Sequence, residues 1–126
     1  IQSCQDGHAG TEGYLHKDLS EQMDALAVYQ GAIGEEIKRG NAKETLWLVD
    51  GMDSVLLLIC DRLNDHQNLR RPFRHFYEQK LEATINNLRK SIQNGDTAVT
   101  HQQYRLLVKK CNSCHNEHDV EERAHY

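Results

Sequence analysis

Apolar residues recur along this chain at steps of three and four rather than two, the period of helices that bury one face. From about Thr11 to Arg39 the stripe is Leu15, Leu19, Met23, Leu26, Ile33 and Ile37, and Gly40-Asn41 supplies a stop. Gly31 and Gly34 lie inside this stretch. Each weakens a helix by roughly 1 kcal/mol relative to Ala, so they mark either a close helix contact or an early end. A second helix is expected from about Ala42 to Asn64, with Leu46, Val49, Leu56, Ile59 and Leu63 on one stripe and Leu48, Met52 and Val55 beside it. That doubled stripe makes it the most buried of the set. Pro72 suits the first turn of a third helix, which Phe73, Tyr77, Leu81, Ile85, Leu88 and Ile92 carry to Asn94-Gly95. Asp96 or Thr97 then caps a fourth, with Tyr104, Leu107, Val108, Cys111 and His115 at helical spacing up to about residue 120.

Segments of similar length joined by short connections most simply pack as an antiparallel up-down-up-down four-helix bundle. The expectation is one all-α domain over residues 1–126, with 1–10 as a polar, extended lead-in. This topology gathers the start of the first helix, the end of the second, the start of the third and the end of the fourth at one end.

Composition narrows the classes. One Pro in 126 residues leaves too few turn signals for a β-sandwich or barrel. The longest clean apolar stretch, Val55 to Cys60, is far shorter than the roughly 20 residues a membrane span needs. A formal charge of −4 gives no basic footprint for nucleic acid. No Ser/His/Asp grouping, Gly-rich phosphate loop or HExxH run is present, so the reading is not an enzyme. The start of the chain has no charged and apolar leader, so an export signal is expected to have been removed already, if there was one.

The chemistry concentrates in Cys111-Asn112-Ser113-Cys114-His115, a C-x-x-C-H run of the kind that attaches c-type haem. Two thiols bond the two haem vinyl groups while the adjacent imidazole reaches the iron. On a helix, positions i, i+3 and i+4 share one face, so all three side chains meet a single porphyrin. Two alternatives stand beside this. A redox C-x-x-C wants a βαβ context that the pattern lacks. A structural zinc site would draw on Cys111, Cys114 and two of His101, His115 and His118, without the second knuckle usual for zinc modules.

A helical chain with Val108-Lys109-Lys110-Cys111-Asn112-Ser113-Cys114-His115 near its end resembles the class II cytochromes c, cytochrome c′ and its low-spin relatives. A class I cytochrome is not expected, because no Met follows among the eleven residues after His115. The chain departs from the family in carrying His118 and Asp119 where an aromatic and a basic residue commonly follow the ligand. The resemblance implies one covalent haem c on Cys111 and Cys114, His115 as proximal iron ligand, and a distal side supplied by the first helix. Leu19-Ser20-Glu21-Gln22-Met23-Asp24-Ala25-Leu26 is similar to the family's Met-bearing stretch, which makes Met23 the first choice of distal ligand. His16 is the alternative, about 10.5 Å away along the axis. If Leu19 takes that place instead, the iron is left open, and Met23 as plain core with His16 at the surface is the remaining alternative.

A six-coordinate iron implies periplasmic one-electron transfer among redox partner proteins; a five-coordinate one implies binding or sensing of NO or CO. A zinc-stabilised helical interaction module is the third reading, and the family often forms homodimers. Arg70, Arg71 and Arg74 flank Pro72-Phe73 and are candidate partners of the haem propionates, or else a solvated patch. Phe73, Phe76 and Tyr77 either wall the haem or are plain core. Cys4 and Cys60 fall at the same end of the expected bundle, which allows a disulfide; a buried thiol at Cys60 and a lipid anchor at Cys4 are the alternatives.

Overall fold

Gly40 and Gly95 both take left-handed backbone angles, φ 72° and 70°, and each ends a helix in the same way. After Gly40, the Asn41 N–H reaches back to the Glu36 carbonyl and the Gly40 N–H to Ile37; after Gly95, the Asp96 N–H reaches Ser91 and the Gly95 N–H reaches Ile92. These pairs satisfy carbonyls that a helix end leaves open. The next residue then starts the following helix: Asn41 Oδ1 accepts from the Glu44 N–H and Asp96 Oδ1 from the Val99 N–H, both at 3.2 Å. Two residues thus suffice to reverse the chain twice.

The computed structural model describes residues 12–62 and 72–118, with side chains over 19–62 and 72–113. Apart from the two turns and Pro72, the described residues are helical, with no strand among them. The elements are α1 (Glu12–Arg39), α2 (Ala42–Arg62), α3 (Phe73–Phe76), a π-helical turn (Tyr77–Leu81), α4 (Glu82–Gln93) and α5 (Thr97–His118). From α3 to α4 the chain stays helical, so these three pieces form one rod. Pro72 stands just before that rod, at its cap, with an extended ψ of 131° and its carbonyl accepting from the His75 N–H.

Four rods pack as a helical bundle: α1 lies along α2, α2 against α4, α4 and the π turn against α5, and α5 closes on α1. Side-chain pairs show that α2 and the third rod run in opposite directions. Asp50 meets Arg89, whereas Cys60, a few turns further along α2, meets Arg74. The core includes Ile33, Val49, Met52, Leu56, Ile59, Phe73, Leu81, Ile85, Leu88 and Leu107.

Two close approaches fix how α1 meets its neighbours. A Cβ at Gly34 would stand 2.6 Å from the Tyr104 hydroxyl, and one at Gly51 would stand 2.5 Å from the Tyr29 ring. Gly34 therefore marks a close helix contact. Gly31 does not, since nothing lies near it. The structure corrects a further expectation. The third rod, not α2, is the more buried, with nine buried residues against seven. The apolar arc of α2 is wider than the core it faces, which leaves Trp47 67% exposed.

Candidate functional site

The backbone is helical through His118, so positions 111, 114 and 115 lie on one face of the last turns of α5. Cys111 is a free, partly buried thiol packed against the core, and burial pushes it up to about 12. The side chains of Cys114 and His115 lie outside the described residues.

What faces this segment follows from two contacts. The Tyr104 hydroxyl donates to the Gln30 carbonyl at 2.9 Å, joining α5 to α1. The two helices run in opposite directions, so seven to eleven residues along α5 from that contact lead to Cys111–His115, and the same steps back along α1 lead to Met23–Leu19. Both of these α1 side chains are 4% exposed and belong to the core. The same count sets position 16 opposite position 118, at the far margin; the side chain of His16 lies outside the described residues. On the other flank, Lys110 Nζ donates to Thr84 Oγ1 at 3.0 Å, which sets the π turn level with the C-x-x-C-H run. The π turn also touches α5 directly.

The surrounding candidates divide. Arg74 is exposed, and its Nη2 donates to the Cys60 carbonyl at 3.4 Å, a cation placed against the last turns of α2 where the helix dipole favours it. Arg70 and Arg71 lie outside the described residues. Phe73 and Phe76 are buried core, their tilted rings 6.0 Å apart. Cys60 is a buried free thiol and forms no disulfide; Cys4, its suggested partner, lies outside the described residues. Burial pushes the Cys60 thiol up to about 12, against the opposing pull of the Arg74 charge.

The zinc alternative loses a ligand. His101 is exposed and ten residues before Cys111, about 15 Å along the helix. Among the described residues no group of three or more His, Cys, Asp and Glu is placed to hold a metal ion.

A polar network that the apolar pattern does not predict joins α2 to the third rod. The Tyr77 hydroxyl donates to Asp53 Oδ1 at 2.7 Å, Arg89 Nη2 to Asp53 Oδ2 at 2.9 Å, and Arg89 Nε to Asp50 Oδ1 at 2.9 Å. Burial, followed by the bond to Asp53, raises the Tyr77 hydroxyl above its ordinary range. Burial works against the Arg89 charge, and the bonds to Asp53 and Asp50 outweigh it, raising the guanidinium further. The sequence did carry a signal: Asp53 falls on the stripe of Val49, Met52 and Leu56, where an acid needs a buried partner.

At the opposite end, between the two Gly turns, lies a groove of about 130 Å³. Its Thr45 and Thr100 hydroxyls already donate to the Asn41 and Asp96 carbonyls. No helix among the described residues is long and apolar enough to cross a membrane. Comparison with known proteins found no family model, curated protein or solved structure that matches this chain.

Proposed function

We propose that this chain is a monohaem c-type cytochrome of the exported, periplasmic kind that carries single electrons between redox partner proteins. One observation supports it above the rest: a C-x-x-C-H run sits on a continuous helix, at the level where α1 presents the buried Leu19 and Met23. The donor set fits the group. Cys111 and Cys114 would hold a haem covalently, His115 would ligate its iron from α5, and Met23 would face it from α1, with His16 the alternative. The bound haem supplies the one-electron couple. The chain would hold that group in an apolar setting, where Leu19 and the core around Met23 would exclude water and raise the electrostatic weight of every nearby charge. Arg74, with Arg70 and Arg71, would meet the propionates.

The buried Leu19 one turn from Met23 favours a second reading, in which Leu19 covers the distal face and an open iron binds NO or CO. Visible spectroscopy on protein produced with haem-attachment machinery separates the readings. The expected result is a Soret band that survives denaturation, is lost in Cys111→Ala/Cys114→Ala, and belongs to a low-spin iron that Met23→Ala converts to high spin. A high-spin spectrum at the outset with rapid CO binding selects the second reading. Absence of any Soret band overturns both and, with one bound zinc per chain, selects the zinc-stabilised module.

A further inference from the structure

We propose that the exposed face of α5 along His101, Arg105 and Lys109 is a docking surface for an acidic protein partner. The proposal rests on the electron-transfer reading above, since it supplies the place where that partner would meet the helix carrying the attachment run.

The argument starts from charge placement. The chain has 19 acidic residues against 15 Lys and Arg, yet from Thr97 to Ser113 it carries Arg105, Lys109 and Lys110 and no Asp or Glu. Acids return at Glu117, beyond the C-x-x-C-H run. Elsewhere some described cations are answered by carboxylates, Lys38 by Glu35, Arg39 by Glu36, and Arg89 by Asp50 and Asp53. The exposed Lys43, Lys80 and Lys90 are not, and none of those three stands in line with another on an acid-free stretch. On α5, Lys110 turns inward to Thr84, while Arg105 and Lys109 have no ion pair or hydrogen bond among the described residues.

Their spacing adds to this. Positions 101, 105 and 109 step by four, so they form one exposed line about 12 Å long that ends two residues before Cys111. Screening makes the local pattern decisive. At physiological salt the Debye length is about 8 Å, so an approaching surface responds to these cations rather than to the net charge of the chain. Two unanswered cations in line complement a carboxylate-rich protein surface and favour fast, salt-sensitive encounter over tight binding.

Backbone amide NMR of the labelled protein, titrated with a short polyglutamate peptide at low ionic strength, tests the surface whether or not haem is attached. Shifts should centre on residues 101–110, disappear on adding salt, and weaken about tenfold in Arg105→Glu/Lys109→Glu. Shifts centred elsewhere, or unchanged binding by that variant, overturn the proposal. So does tighter binding to phosphatidylserine vesicles, or self-association of the chain that the variant abolishes. In the haem-loaded protein, oxidation by ferricyanide should slow as salt is added, the opposite of what the net charge of −4 dictates. Acceleration by salt overturns the role in electron transfer. A missing Soret band refutes the electron carrier alone and leaves the peptide result to be read by itself.

Discussion

Tyr77, Asp53 and Arg89 show how much one buried acid demands. Asp53 is 9% exposed, and each of its oxygens takes a donor from the third rod. Removing the phenol in Tyr77→Phe is expected to lower stability by about 1–3 kcal/mol, because a carboxylate oxygen then stays buried without its donor. Arg89→Met is expected to cost more, about 3 kcal/mol, since it strands the charge itself. Urea unfolding of the two variants checks the order; a smaller loss for Arg89→Met would show that solvent reaches Asp53. Gly34 is the other residue whose role is local. Gly34→Ala sets a methyl against the Tyr104 ring and is expected to cost about 1–3 kcal/mol despite its better helix propensity. In a double-mutant cycle with Tyr104→Ala that loss should vanish.

Among the elements, the two hairpins are the most legible in sequence. Gly-Asn and Gly-Asp place a left-handed residue before a capping side chain, and both turns form at the expected positions. Gly95→Ala forces a Cβ into the left-handed region and should destabilise by about 1–2 kcal/mol, read from the thermal midpoint. The π turn is the contrary case. Its residues Tyr77-Glu78-Gln79-Lys80-Leu81 have an ordinary helical pattern, and one extra residue per turn leaves no mark in composition. It forms where Tyr77 must reach Asp53 while Leu81 stays in the core, a demand that only packing creates.

At the scale of the whole molecule, the buried thiol of Cys60 links stability to pH. Its folded value, about 12, lies above the ordinary 9.0, so the fold favours the protonated form. The contribution is complete below about pH 9 and is lost as pH rises toward 12. The Tyr77 hydroxyl is shifted in the same direction and adds to the alkaline loss. Urea midpoints should therefore fall above pH 9, and Cys60→Ala should flatten that slope even though its starting stability is lower. Cys111 contributes in the same sense as a free thiol; if it holds a haem as proposed it would drop out, and the haem-loaded protein should then show the shallower alkaline loss.

The amino-acid sequence by itself determined the helical segments and the turns between them, because a period of 3.6 and a Gly with a capping Asn or Asp act through neighbours along the chain. It also determined the spacing of Cys111, Cys114 and His115 on one helix face. Tertiary structure decided the rest. The choice of Leu19–Met23 as the stretch opposite that face depends on the Tyr104–Gln30 register, and the burial of Asp53 depends on an arginine 36 residues away. Such pairings are absent from local pattern because they are selected by packing between helices, where the identity of the neighbour is set only once the rods have come together.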